Sequence, residues 1–307
     1  MGNREDLVYR TYGTHLKEKY GYKVYKIPLT IACGCPNRDG TLGFSGCAFC
    51  GEEGGSFEGL EKHIPLAEQF EKNSELVRKK YNAKHFFAYF QRFTNTYIPM
   101  AQLIDTIEQA VALDVEGIIL STRPDCLPDS HLEYLSEANK KVPITLELGL
   151  QTTNYHTLDY INRGHGLAEF VDGVIRAHNM GLRICTHLIL NLPGDNDRDA
   201  IEAAHLMNAL KIEEVKLHAL YIVEGTKLGE LYKENAIEIG SSEEYFHRVE
   251  LFLRHLNPEI IVQRIIGRAP EEGTLFVNWQ TSWWKLRDDF VEKMILENKR
   301  QGDLLFG

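Results

Sequence analysis

Short apolar runs with a period of two alternate along this chain with longer stretches whose apolar residues recur every three to four positions, the pattern of strands followed by helices. Six segments read as strands: Val24 to Ala32, Lys84 to Gln91, Gly117 to Thr122, Ile144 to Gln151, Arg183 to Leu190 and Val215 to Tyr221. Regular alternation of this kind predicts parallel βα units. Six units fall short of the eight in a closed barrel, so the fold class expected is α/β, an open partial (β/α)6 barrel. From about Gly225 onward the pattern turns helical, with helices at Ser242 to Leu256 and Trp283 to Lys299 around a last short strand near Ile260 to Ile265. This part reads as a mainly helical appendage closing one side, with Trp283 and Trp284 packing the final helix onto the barrel edge. The division expected is an amino-terminal arm over 1–24, a core over 25–224 and a carboxyl-terminal extension over 225–307.

The strands carry a second signal in their parity. In Leu146-Glu147-Leu148-Gly149-Leu150-Gln151 the period of two places Glu147, Gly149 and Gln151 on one face and three leucines on the other. Parallel strands are normally apolar on both faces. The same split recurs for Tyr89 with Gln91, Ser121 with Arg123, His187 with Asn191, and Lys216 with His218. One polar parity per strand implies a polar lumen. Glu147 and Lys216 are costly to bury alone, so either a bound polar ligand or a set of charge pairs fills that lumen.

Three cysteines stand in one Gly-rich loop after the first strand, Cys35-x11-Cys47-x2-Cys50. Three thiolates leave one metal position open, as in an iron-sulfur cubane with an exposed iron, whereas structural zinc prefers a closed four-ligand shell. Cys33 keeps the zinc alternative open, because Cys33-Gly34-Cys35 with Cys47 and Cys50 makes four ligands, although that spacing is unusual for a zinc ribbon. The bland reading of Cys33 is a small apolar strand residue. Ligands bind at the carboxyl ends of strands in such folds, so the loop sits at the mouth of the polar lumen. Cys126, in Arg123-Pro124-Asp125-Cys126 just past the third strand, is a candidate participant in catalysis, and so are His187 and His218 as hydrogen-bonding or proton-donating groups. Each of the three also reads as an ordinary structural residue.

Composition narrows the class. A chain of 307 residues with 43% hydrophobic content can bury one large core. Its six cysteines without a secretory leader point to the reducing cytoplasm, and no run approaches a membrane span. The net charge of −10 argues against a surface that grips nucleic acid mainly through phosphates. A local exception lies in the first 26 residues, where Arg4, Arg10, Lys17, Lys19, Lys23 and Lys26 outnumber Glu5, Asp6 and Glu18 among five tyrosines. Aromatics among cations can stack bases, although the plainer reading of the same residues is a solvated helix whose tyrosines pack on the core.

The cysteine spacing resembles the cluster loop of radical S-adenosylmethionine (radical SAM) enzymes, in the variant-spacing branch that includes the Elongator catalytic subunit. Cys-Pro-Asn-Arg-Asp-Gly-Thr, Arg-Pro-Asp-Cys, Glu-Leu-Gly-Leu-Gln-Thr, Ile-Asn-Arg-Gly-His and Leu-Pro-Gly-Asp are similar to the YhcC-like proteins of that branch, in motifs spread from about residue 27 to residue 290. Cys33 is extra to that pattern, and an acetyltransferase domain of the Elongator type does not fit in the rest of the chain. The resemblance implies a 4Fe-4S cluster on Cys35, Cys47 and Cys50 whose open iron chelates the amino and carboxylate groups of S-adenosylmethionine. Reductive cleavage of the sulfonium then gives a 5′-deoxyadenosyl radical. It further implies a low-potential electron donor such as a flavodoxin or ferredoxin, and tRNA as a possible substrate through carbon 5 of the wobble uridine. A small-molecule substrate is the alternative within the class, and a non-catalytic metal or redox-regulatory protein the alternative outside it. Sulfur insertion is disfavoured, since no second Cys-x-x-Cys offers an auxiliary cluster.

Cofactor contacts follow on the same basis. Phe49 lies against adenine. Gln91 and Asn95 stand where many members have Gly-Gly-Glu and offer amide oxygens to the methionine ammonium. Glu147 is a charged contact, with Gln151 on the same face, and Gly149 removes a side chain where a ligand approaches. Arg163 pairs with the methionine carboxylate or with Glu147. Asn191 and the Leu192-Pro193-Gly194-Asp195 turn present themselves to adenine or ribose, before a helix capped near Asp197.

Overall fold

Seven strands, β1 Val24–Leu29, β2 His85–Phe90, β3 Gly117–Thr122, β4 Ile144–Gln151, β5 Arg183–Ile189, β6 Glu214–His218 and β8 Ile261–Arg264, pair in parallel in the order β1-β2-β3-β4-β5-β6-β8. A two-stranded antiparallel ribbon, β7 Ile222–Val223 with β9 Thr274–Phe276, stands apart from them. The structure is a computed structural model that describes residues 4–52, 54 and 59–305. The first three residues of the expected arm and the last two of the expected extension therefore lie outside the described residues. The sheet curls into a half-barrel with helices on its outer face, as the alternation predicted, and β8 from the carboxyl-terminal region lengthens it from six strands to seven.

The strand parity holds. Ile27, Ala88, Leu120, Leu146, Ile184 and Leu217 point outward into one apolar core shared with the helices. The opposite parity faces the lumen. At the amino-terminal ends of the strands the lumen is stopped by the helix Tyr12–Tyr20, whose Leu16 joins Val24, Phe87, Tyr89 and Ile119 in a separate apolar cluster flanked by Tyr12 and Tyr20. The arm's other rings are engaged with the protein itself: Tyr22 stacks on His85 at 3.6 Å and Tyr25 on Tyr81 at 5.4 Å, while Tyr9 is buried. The amino-terminal segment thus closes the barrel floor. It is fastened there by a parallel bridge between Thr11 and Val262 and by Gln301, which accepts from Arg10 N (2.9 Å) and donates to the carbonyls of Asn257 (2.7 Å) and Ile260 (2.8 Å).

Two strands end earlier than their apolar runs suggest, each because a side-chain amide takes over the backbone. Thr30 N donates to Gln69 Oε1 at 2.8 Å and Thr30 O accepts from Gln69 Nε2 at 2.9 Å, so β1 stops at Leu29 and the chain turns toward the cysteine loop. Leu220 N donates to Asn191 Oδ1 at 2.7 Å, which ends β6 at His218. Gln69 is fully buried and also donates to Ile64 O at 2.8 Å. Replacing it by leucine strands two buried backbone groups and one half-buried one, and we expect a loss of about 2–4 kcal/mol in denaturant unfolding. A loss below about 1 kcal/mol would mean that water satisfies these groups in the variant.

Candidate active site

A cavity of about 160 Å3 lies at the carboxyl ends of the strands, and Cys35, Cys47 and Cys50 all line it. The loop that carries them is built by its own polar residues. Arg38 donates from Nη2 to Cys50 O (2.6 Å) and Gly51 O (2.7 Å), and Gly46, at φ 72°, makes a turn that a Cβ would strain. Asn37 donates to Asn162 O at 2.6 Å, Asn162 returns a bond to Gly46 O at 2.8 Å, and Ala48 N donates to Ile161 O at 2.8 Å. The Ile161-Asn162-Arg163-Gly164-His165 segment is therefore the bed on which the cysteine loop rests. A Cβ on Gly164 would come within 2.7 Å of Asn37 Oδ1, so glycine is needed for that contact.

The Cys47 sulfur receives Arg163 Nη1 at 3.4 Å and Asn37 Nδ2 at 3.6 Å. Two N–H groups, one of them on a guanidinium, thus fix the position of this sulfur. Arg163 anchors its other nitrogens on Gly149 O, at 2.6 Å from Nη2 and 3.2 Å from Nε, and does not pair with Glu147. Arg123 holds it from behind, donating to Arg163 O at 2.8 Å while clasping Asp125 through two bonds. Cys33 stands outside this set. Its thiol points to Arg92 O (3.4 Å) and Asn95 Oδ1 (3.8 Å), it does not line the cavity, and burial pushes it up to about 11.

Below the cysteines lies a polar layer centred on Glu147, which is almost fully buried. Its Oε1 accepts from Lys26 at 2.7 Å; its Oε2 accepts from Tyr89 at 2.7 Å and His187 at 2.9 Å and lies 3.2 Å from both Lys216 Nζ and Ser121 Oγ. Burial works to raise the Glu147 pKa, yet Lys216, Lys26 and His187 together hold it well below the usual carboxylate range. Burial likewise brings Lys216 down to about 7 against the pull of Glu147, with Lys26 and Arg264 pushing the same way. His187 falls to about 4, through burial first and Lys216 second, and so is neutral near pH 7. Glu147, Cys185 and His187 bring ligand atoms within 4.8 Å of one another, but the two ammonium groups on Glu147 occupy the charge a metal ion would need.

The sequence-predicted residues divide accordingly. Phe49, Gln91, Glu147, Gln151, Arg163, His187 and His218 line the cavity with the cysteines. Gln151 reaches it through a β-bulge that leaves its backbone at φ 83°, a strained value for a non-glycine residue of the kind found at ligand sites. Gly149 leaves room for Arg163, since a Cβ there would lie 2.8 Å from Nη2. The strand register sets His187 beside Lys216 and Ile189 beside His218, so the two rings are one step apart, 5.2 Å between centroids. Asn95, Asn191 and Cys126 do not line the cavity. Asn95 is a strut, donating to the carbonyls of Phe90, Arg92 and Ser121, and Asn191 caps Leu220. Cys126 is buried, and that burial pushes its thiol up to about 12. The helix expected to be capped near Asp197 starts there, with Asn196 as its cap. Sequence reasoning gave Asn37 and Arg38 no role, counted Lys26 only among the cations of the amino-terminal arm, and placed Arg123 only on the polar face of its strand. Lys26 carried the same parity signal as Lys216, between Val24 and Pro28.

The profile described as the Radical SAM superfamily matches residues 29–207, and that of the Radical_SAM C-terminal domain matches residues 212–295. The chain is 37% identical to protein YtqA of Bacillus subtilis (strain 168) over 280 residues, 91% of this chain and 87% of YtqA. It is 34% identical to protein YhcC of Escherichia coli (strain K12) over 275 residues, 89% of this chain and 88% of YhcC. Over 135 residues, 40% of this chain and 24% of the relative, it is 25% identical to the tRNA uridine(34) acetyltransferase of Methanocaldococcus jannaschii. Among solved structures, the archaeal Methanocaldococcus infernus Elp3 with an amino-terminal deletion shares the fold, with a TM-score of 0.69 at 14% identity over 91% of this chain and 64% of that one.

Glu147→Gln removes the one anion between Lys26 and Lys216, and we expect unfolding at pH 7 to show a loss of about 3–5 kcal/mol. Because the folded carboxyl titrates below its ordinary 4.5, its contribution is complete above that pH and disappears as pH falls through the folded value. The variant should therefore lose less stability than the parent on acidification below about pH 4.5, and equal acid slopes would show that Glu147 is not the ionised centre.

Proposed function

The chain belongs to the radical SAM superfamily, and from that premise we propose that it modifies the carbon-5 side chain of the wobble uridine in tRNA. It is a radical SAM enzyme, and the family's cofactors are a 4Fe-4S cluster and S-adenosylmethionine. The residues present fit those groups: three thiols converge on one cavity, Cys47 receives two N–H groups, and Cys33 is turned away. That convergence is the observation that carries the reading. It also removes the support for a four-cysteine zinc site, because the fourth thiol is directed at a backbone carbonyl.

In this reading Cys35, Cys47 and Cys50 hold the cluster, and Arg163 with Asn37 balances the charge on the Cys47 sulfur. When bound, the cluster supplies the electron that cleaves the sulfonium of S-adenosylmethionine and opens radical chemistry on a substrate. Phe49 offers adenine an aromatic face. Gln91 and Gln151 offer amides to the methionine end, and Gly149 leaves a side-chain-free surface beside them. Phe93, Ile189 and Leu220 supply apolar walls that limit water around the reacting centre. Near neutral pH His187 donates to Glu147, and Lys216 at about 7 can hold or release a proton at Nζ. In this reading residues 25–224 carry the catalytic core, the described part of the arm before it closes the floor, and the extension after it adds β8 and the last helix. We place the reaction in the cytoplasm, with a flavodoxin or ferredoxin as electron donor; no helix among the described residues is long and apolar enough to cross a membrane.

The tRNA substrate is supported by the partial likeness to an enzyme named for uridine 34 of tRNA. Acetyl transfer is not carried over, since the match spans 24% of that relative. Two measurements test the two levels of the proposal. After anaerobic reconstitution and reduction, the parent and Cys33→Ala should each bind about four iron atoms and release 5′-deoxyadenosine and methionine, whereas Cys47→Ala should do neither. Loss of iron in Cys33→Ala would sink the three-cysteine assignment. Mass spectrometry of tRNA from cells lacking the protein should show a change confined to the wobble uridine, and an unaltered wobble position would move the substrate to the small-molecule alternative.

A further inference from the structure

A second chamber, of about 510 Å3, lies on the open side of the half-barrel between its edge strands β1 and β8. The amino-terminal segment and the helix Trp283–Leu296 complete its walls. It shares Gln91, His218 and Tyr221 with the cysteine cavity, so a molecule seated in it borders the cofactor site.

Its charges are unequal. Lys26, Lys216, Arg264 and Arg287 line it together with one carboxylate, Glu5. Glu5 is paired with Arg287 at 3.0 Å, and the two lysines share Glu147 behind the wall. Arg264 has no carboxylate partner among the described residues. Its Nη2 lies 2.8 Å from His218 Nδ1, and its Nε is buried without a partner. His218 can accept that bond only as a neutral ring, and burial followed by Arg264 itself holds its pKa well below the ordinary value. The guanidinium is given room by Gly267, where a Cβ would come within 2.9 Å of Arg264 Cζ. A guanidinium confined this way is stabilised by an anion with two oxygens to match its fork. The rings of Tyr9, Tyr221 and Trp283 supply flat apolar faces in the same chamber. Its volume suits one small ligand rather than a helix or a strand of several residues.

We propose that this chamber seats a single nucleotide, its phosphate on Arg264 and its base against the aromatic wall, beside the cofactor cavity. The proposal rests on the uridine-modifying reading and adds the group that grips the substrate. Whether the nucleotide enters free or is turned out of an RNA strand, the chemistry of recognition is the same.

The test uses reconstituted holoenzyme and calorimetric binding of uridine 5′-monophosphate, uridine, benzoate and an anticodon stem-loop, with iron content measured on each sample. The monophosphate should bind at least about tenfold more tightly than uridine, and Arg264→Gln should remove that advantage. Gly267→Ala keeps the charge but displaces the guanidinium, and it should weaken phosphate binding in the same direction; it carries the test if Arg264→Gln does not fold. Binding of the stem-loop alone, lost in both variants, supports the chamber and identifies RNA as the source. Equal binding of uridine and its monophosphate, a phosphate preference that survives in both variants, or a preference for benzoate overturns the proposal. Cofactor cleavage without a phosphate preference breaks this inference alone. A phosphate preference in an iron-loaded protein that never cleaves the cofactor breaks the catalytic reading instead.

Discussion

Everything in the lumen is arranged around one buried carboxylate. Glu147 sits on the middle strand of the seven, and its partners come from both sides: Lys26 from the edge strand β1, Tyr89 from β2, His187 from β5 and Lys216 from β6. Backbone pairing does not close this sheet, so nothing in the strand ladder alone fixes how far the edges curl. The side chains do it. Lys26 Nζ bonds both Glu147 (2.7 Å) and Gln263 Oε1 (2.7 Å), the latter on the opposite edge strand β8, and Gln263 Nε2 reaches Glu214 at 2.7 Å. A buried ion network of this kind adds little net stability over an apolar filling, because desolvation offsets most of the attraction. What it adds is a definite curvature, since each partner must reach the same two oxygens.

That fixed curvature gives the lumen its layers. The helix Tyr12–Tyr20 seals the floor with apolar contacts, the Glu147 layer fills the middle, and the cysteine cavity opens above it. The middle layer reaches the top through strand β4. From Glu147 the chain runs two residues to Gly149, whose carbonyl holds Arg163, and Arg163 in turn holds the Cys47 sulfur. The bulge that follows turns Gln151 into the cavity. A polar floor and a positioned cysteine loop are thus parts of one hydrogen-bonded column.

Strand parity makes this column partly legible in the amino-acid sequence, because alternation in β2 to β6 is a local property and the lumen is its direct consequence. The six strands and the cysteine loop are legible for the same reason. The partners of each lumen residue are not. Glu147 reads as a free ligand for a cofactor when only its own strand is seen, and its saturation by five groups from five other strands appears only once the sheet has curled. Asn95 and Asn191 look like cofactor amides for a similar reason, since an amide that satisfies buried backbone groups and one that binds a ligand have identical sequence signatures. Arg264 gives no signal, because the short strand β8 is partnered across a long sequence gap and its register shifts against β6.

The net charge of −10 does not describe the interior of the barrel, where guanidinium and ammonium groups gather. Arg123 is neutralised by Asp125, and Lys26 and Lys216 share one carboxylate. Arg163 and Arg264 are left with sulfur, carbonyl or imidazole partners. These two guanidiniums stand at different places, one against the cysteine sulfur and one in the side chamber. Low local dielectric makes each of them an instruction about the charge that belongs beside it. At Arg163 the chain itself supplies the Cys47 sulfur and the Gly149 carbonyl. At Arg264 the described residues provide a neutral histidine and no carboxylate, so in the proposed complex the complementary anion comes from the bound nucleotide.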